Sequence, residues 1–486
     1  MPTRKVKLIS LPTSFSLDEH IVKFPPFPPS IESIKSGCYY SFSKFKKEKA
    51  YYFLGLLTSI PARNPDIVTK DGFVPINQKL VRDSIKDIKD YTNYLLYTGV
   101  IECDKHYIPD EKSFAYRWSE KYSLSKVSAK LIECKYDDYD TGRYAWQFEK
   151  YPYLFHWYQQ DKLMIDDASD DYAFELYQNK MNDPTKRSWD LKNKGERKHP
   201  ESQYRSAILN IAKIRHCCYE AHIDSNVHRL HSAFTGLGKK YRRFLTYGGE
   251  KLVGIDIKNS QPYIISLILN RDFWSENSSL PLSITNLPAN IQEALKTPPE
   301  LPAMIGKYFN SIEDNDFTDY ITLASSGMFY ERIVEIVNEL GEAIERDDAK
   351  ILMFYTMYSS NYLPKDSFFR QMRGIFKNMF PKVAELFKII KRDFQGIDVE
   401  KQHNRLARLL QSIESEIVLH RCCQRIWIEG NQQVPVFTIH DNIVTTEGNE
   451  AFVQRIMTEE LERFIGIAPP LSLPERWEEK YGMENL

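Results

Sequence analysis

Two short stretches each place an aspartate where a strand meets a turn. In Leu252-Val253-Gly254-Ile255-Asp256-Ile257-Lys258-Asn259-Ser260-Gln261-Pro262, apolar residues lead up to Asp256. Pro262 is allowed in a helix's first turn and is followed by an apolar run suited to a buried helix. In "VFTIHDNIVTT", Val436 to Thr446, strand-forming residues flank His440, Asp441 and Asn442, which favour a turn. Asp441 is therefore expected at the tip of a hairpin. Taken singly, each aspartate reads as a turn or capping residue. Lying 185 positions apart, they converge only if their strands are neighbours in one sheet. Two carboxylates held in that way suit a pair of divalent cations in nucleotidyl transfer.

A third stretch supplies what that chemistry would still lack. From Glu345 to Ser359, the residues Arg346, Lys350, Phe354 and Tyr358 recur every four positions. On a helix they form one slowly drifting face, with cations at one end and rings at the other. Such a stripe is ordinarily core with snorkelling ends. Beside two metal-binding aspartates, the cations would meet a triphosphate and the rings would pack on sugar and base.

The elements that must position these residues belong to a long chain. Its 486 residues are 42% hydrophobic and 27% charged, enough for about three domains. The net charge of −1 gives no global hint of a polyanionic partner, but charge is unevenly spread. Between Lys180 and Arg243, 15 Lys/Arg stand against 6 Asp/Glu. The interleaved Trp189, Tyr204 and Tyr241 suggest phosphate neutralisation with base stacking, with Lys239 and Lys240 in the terminal KKYRR cluster. Residues 1–120 read as helices followed by a hairpin after Gly99, an order resembling a winged helix that docks nucleic acid or a protein partner. Its turn would be Pro109 to Lys112, and Lys105, His106, Lys112 and Arg117 would meet phosphate. Seven cysteines without CxxC spacing suggest reduced thiols rather than a zinc ribbon or a disulfide framework. No apolar run reaches membrane-span length, so the expectation is a cytoplasmic protein with no membrane partner.

Together these segments resemble the polymerase core of the family A DNA polymerases and their relatives, the single-subunit phage and mitochondrial RNA polymerases. Asp256 and the carbonyl of Ile257 match the metal site of motif A. Arg346, Lys350, Phe354 and Tyr358 match the R-x3-K-x3-F-x3-Y series of motif B, and His440-Asp441 matches motif C. Arg229 in RLHSAFTGL looks like the arginine that contacts the primer end, and Gln411 in LLQSIESEIV lies on a segment resembling the helix before motif C. FKNMFPKV is similar to the segment beyond motif B. The match runs in order over roughly 226–486.

The resemblance implies an α+β, right-hand polymerase. Its parts are a winged-helix-like domain (1–120), a helical thumb-like region (121–225), a palm (226–270 and 400–486) and fingers with an insertion near 275–315 (271–399). It implies a template-directed DNA polymerase of a phage or mobile element, acting on a DNA primer-template and dNTPs. Two Mg2+ ions, for which Mn2+ could substitute, would sit on Asp256, Asp441 and Ile257. Lys350 and Arg346 would stabilise charge on the triphosphate, and His440 would buttress the primer terminus rather than act as a base. No acidic exonuclease constellation precedes residue 225, so proofreading is not expected.

Several positions depart from the family pattern. Asp347 stands where a second Arg is usual, Tyr355 and Ser359 where Gly is usual, and Asn442 where Glu or Ser is common. In the resembling DNA polymerases a bulky acid five residues after the motif A Asp excludes ribose by packing with the motif B Tyr; here that residue is Gln261. Gln261 keeps the bulk and can hydrogen-bond to Tyr358, which favours deoxynucleotides. An RNA polymerase or primase is the alternative, and an inactive polymerase-like nucleic-acid-binding protein is a third, of another class.

Overall fold

A computed structural model of the chain describes residues 6–26, 39–64, 67–69, 71–108, 112–123, 125–133, 144–183, 200–312, 315–339, 341, 343–362, 367–394 and 402–482. The fold is mixed α+β with two hydrophobic cores.

The first core closes when strand Val6–Pro12 pairs antiparallel with Val127–Glu133, so this unit extends past residue 120. Helix Lys47–Arg63 packs on the first of these strands so closely that a Cβ at Gly55 would lie 2.6 Å from Ile9. Helices Gln78–Ser84 and Ile88–Tyr97 follow, and Gly99 turns the chain at φ +69 into strand Ile101–Cys103. That strand pairs with Ala115–Trp118, which also pairs with Val74–Pro75. Three of the four residues of the expected turn lie outside the described residues; Ile108 and Lys112 face each other across it.

The second core surrounds a six-stranded sheet. Its central strand, Glu250–Asp256, pairs antiparallel with Asn442–Thr446, with Leu245–Tyr247 and with Glu475–Arg476. Phe437–Ile439 and Leu163–Ile165 form the two ends of the sheet. Region 121–225 is thus not purely helical: alternation of buried Leu163 and Ile165 around exposed Met164 makes a strand there. The sequence 275–315 contributes helices Ala289–Leu295 and Glu300–Asn310, whose Ile291, Leu295, Leu301 and Ile305 join the second core. Helix Arg405–Ser415 continues through a π-helical stretch, Glu416–Cys422, into Cys423–Glu429. It packs on helix Ser260–Ile268 and on helix Arg346–Tyr358. Among the described residues no helix is long and apolar enough to cross a membrane.

Alternation along the central strand puts Gly254 and Asp256 on one face, Val253 and Ile255 on the other. A Cβ at Gly254 would lie 2.7 Å from Nε1 of the buried Trp477 and 3.1 Å from Oδ1 of Asn442. Gly254→Ala is therefore expected to displace Trp477 and cost about 1–3 kcal/mol, as overpacking does. Denaturant unfolding followed by tryptophan fluorescence checks this, and an unchanged midpoint would refute it.

Candidate active site

Asp256 ends the central strand directly opposite Asn442, so the pairing register fixes Asp441 beside it. The hairpin Phe437–Ile439 / Asn442–Thr446 is joined by His440 and Asp441 alone, and Ile439 pairs with Asn442. His440 takes φ 57, a left-handed conformation that a side chain of its size adopts at a cost. Ile443, Val444 and Ile255 are fully buried and hold the register that this strained turn requires.

Asp441 keeps partial solvent access but is walled in by protein. That desolvation, then the charges of Asp256 and Glu414, push its pKa well above the carboxylate range, with Arg229 opposing. Asn442 Nδ2 donates to Asp256 at 3.5 Å, and the Asp256 N–H donates to Ser472 Oγ at 2.9 Å. Ile257 forms a non-hydrogen-bonded antiparallel pair with Leu471, flanked by bonds from Lys258 N–H to the Pro470 carbonyl and from Ser472 N–H to the Asp256 carbonyl. In such a pair the carbonyl of Ile257 points away from the 470–472 segment, toward the hairpin side. Among the described residues no group of three or more His, Cys, Asp or Glu side chains is arranged to hold a metal. The donor set is instead two carboxylates with a carbonyl. Such an all-oxygen set fits Mg2+, which takes its remaining ligands from substrate and water.

Past Asp256, Asn259 turns at φ 52 and helix Ser260–Ile268 begins, with Pro262 in its first turn. Gln261 is buried, and Tyr358 Oη donates to its Oε1 at 2.8 Å. This is the hydrogen bond expected from the sequence. Tyr358 ends helix Arg346–Tyr358, on which Phe354 is exposed and tilted against the Tyr358 ring at 5.5 Å. Arg346 donates to Glu331 at 2.6 Å and lies over the Tyr330 ring at 5.4 Å. Burial pushes the Tyr330 phenol up to about 12; Arg346 opposes this and Asp441 adds to it, so Tyr330 stands between the helix and the aspartates. Lys350 donates to Asp347 at 2.8 Å. Both cations thus carry carboxylate partners, Glu331 half-buried and Asp347 exposed. Gln411 hydrogen-bonds to Tyr358.

His440 is open to solvent on one side. Enclosure on the others, then Arg229, the neighbouring His231 and Arg242, pushes its pKa down to about 4, so the ring is neutral at pH 7. Arg229 is half-buried and ion-paired with Glu414. Lys239 is exposed, and its charge reaches Asp347; Lys240 is half-buried.

Some expectations fail on burial. Tyr204 and Tyr241 are core residues and cannot stack on bases: Tyr204 Oη accepts from Val127 N–H at 2.9 Å and Tyr241 packs on Tyr172. Trp189 lies outside the described residues. Arg243 covers the Tyr172 ring at 4.2 Å and Arg242 the Trp477 ring at 5.5 Å. In the first unit, Arg117 is committed to Glu102 at 2.9 Å and to the Phe73 ring, and Lys112 pairs with Asp104 at 3.3 Å, leaving Lys105 and His106 exposed at the hairpin.

Sequence reading missed Glu414, Ser260, Tyr330 and Ser472. The signal for Glu414 was present: a carboxylate one turn after Gln411, on a helix whose Leu406, Leu409, Leu410 and Ile413 are apolar and buried. Comparison with protein-family models and with curated proteins finds no match to the chain.

Asp441 ionises near 3.8 in an unfolded chain but resists ionisation when folded, so the fold loses stability as pH rises above 3.8 toward the raised value. In metal-free buffer at pH 7, Asp441→Asn is expected to unfold at a higher temperature than the parent, the gap closing below pH 3.8. Mg2+ should raise the parent's midpoint and leave the variant's nearly unmoved. Equal Mg2+ shifts in both proteins would refute the site.

Proposed function

We propose that the chain is a template-directed DNA polymerase, extending a DNA primer with dNTPs, in a right-hand arrangement of the family A kind. The observation that carries this reading is the convergence of Asp256 and Asp441 on neighbouring strands, with the Arg346–Tyr358 helix docked beside them through Tyr358 and Gln261. The six-stranded sheet would be the palm, the Arg346–Tyr358 helix would lie in the fingers, and the first unit would be the winged-helix-like domain.

Asp256, Asp441 and the Ile257 carbonyl would hold two Mg2+ ions, which when bound lower the pKa of a primer hydroxyl and neutralise the departing pyrophosphate. Arg346 and Lys350 exchange Glu331 and Asp347 for the triphosphate. Exposed ion pairs of that kind contribute about 0–1 kcal/mol, so a polyanion displaces them readily. Phe354 offers an exposed ring to the incoming base. His440, neutral at pH 7, can accept or donate one hydrogen bond at the primer end without adding charge beside the aspartates.

Primer extension with dNTPs and with NTPs tests the proposal. Asp256→Ala and Asp441→Asn should abolish incorporation while leaving nucleic-acid affinity largely intact; substantial activity in Asp441→Asn would overturn it. A parent preferring ATP to dATP would favour the RNA polymerase or primase alternative, because the Gln261–Tyr358 contact argues for deoxynucleotides. The same contact predicts that Gln261→Gly admits ribonucleotides, shifting selectivity by ~1–3 kcal/mol. Incorporation by neither protein, with binding intact, would leave a polymerase-like binding protein.

Charge reversal at Lys239 and Lys240 should weaken primer-template binding and flatten its dependence on salt, as expected when phosphate contacts are lost. An unchanged salt slope would assign the pair to solvent.

A further inference from the structure

Glu414 is 2% exposed, and three donors converge on it. Arg229 ion-pairs with its Oε1, while Ser260 Oγ at 3.0 Å and Gln261 Nε2 both donate to its Oε2. Gln261 then presents its other end, Oε1, to the Tyr358 hydroxyl at 2.8 Å. A carboxylate only accepts hydrogen bonds, so an amide turned the other way would set oxygen against oxygen. Glu414 therefore decides which end of Gln261 meets Tyr358.

We infer that Glu414 is the carboxylate of the sugar pocket, a positioning residue supplied by helix Arg405–Ser415. It fixes the Gln261–Tyr358 gate and ties it to Arg229. The acid that the resembling DNA polymerases carry at position 261 has moved across the pocket, and an amide stands in its former place. Arg229 balances the relocated charge, so the pocket keeps one buried anion, not two. The substrate class selected is a 2′-deoxynucleoside triphosphate, and the inference rests on the polymerase reading above.

An exchange experiment tests it in four full-length proteins: the parent, Gln261→Glu, Glu414→Gln and the double variant. Each is measured for kcat/KM with dATP and ATP on one primer-template and for its unfolding midpoint. Gln261→Glu sets two carboxylates in contact and should lower both the midpoint and dATP incorporation, the latter about 100-fold. Glu414→Gln leaves Arg229 unbalanced and the amide free to turn. The preference for dATP over ATP should fall about tenfold, mainly through a lower KM for ATP. The double variant restores one carboxylate to the pocket and should regain the midpoint and most of the sugar preference. A double variant no better than the worse single one would overturn the inference, as would a Glu414→Gln protein with the parent's dATP/ATP ratio. In both of those outcomes the parent remains an active polymerase. A parent that incorporates neither nucleotide would fail the polymerase reading itself, and this inference with it.

Discussion

Like charges held close together are the constraint on which the rest of the second unit depends. Burial raises the pKa of Asp441, and repulsion from Asp256 and then Glu414 raises it further. Backbone pairing and burial impose that arrangement, while Asn442 donates to Asp256 and Arg229 opposes the repulsion at Asp441. Both faces of the hairpin strand are buried, so a one-residue slip would force Ile443 and Thr445 to trade sites with Val444 and Thr446, and Thr445 would lose its bond to the Pro435 carbonyl at 2.7 Å. The apolar register is therefore strong enough to hold both the repulsion and the left-handed His440.

Two kinds of ion pair surround this centre, and their burial separates their roles. Arg229 and Glu414 are enclosed, so removing either would strand a charge away from water, and the pair behaves as part of the scaffold. Arg346 with Glu331 and Lys350 with Asp347 lie where water screens them, so their partners are exchangeable. The same residue types thus build a fixed pair behind Gln261 and exchangeable pairs along the Arg346–Tyr358 helix.

The backbone of the site was legible because its signals are local. The apolar run before Asp256, the polar break at His440 to Asn442, and the four-residue period from Arg346 to Tyr358 each follow from one element's geometry. What was illegible depended on which face an element turns inward. Tyr204 and Tyr241 stand in a basic stretch that composition alone assigns to nucleic acid, yet both are packed in the core. Arg117 looked free because its partners Glu102 and Phe73 reach it only through strand pairing. Glu414 escaped notice because its donors come from positions 229, 260 and 261, more than 150 residues away. The strand Leu163–Ile165 was hidden by its length, since three residues carry too little alternation to be told from a loop.

The helix bearing the motif cations is held unequally along its length. At its C-terminal end Tyr358 bonds to the buried Gln261, and the Lys391 amine donates to the carbonyls of Thr356 at 2.8 Å and Ser359 at 3.1 Å. Burial lowers the Lys391 pKa to about 7, yet those carbonyls are the groups that a helix end leaves without partners. At its N-terminal end, Glu345 and Asp348 close a capping box and Ala349 is buried, while Arg346 and Lys350 make screened pairs, Arg346 also lying over the Tyr330 ring. Because buried hydrogen bonds are more costly to break than screened ion pairs, the end near Tyr358 is the fixed one and the end near Arg346 the adjustable one. Tyr358 therefore stays in place while Arg346 and Lys350 can change partners.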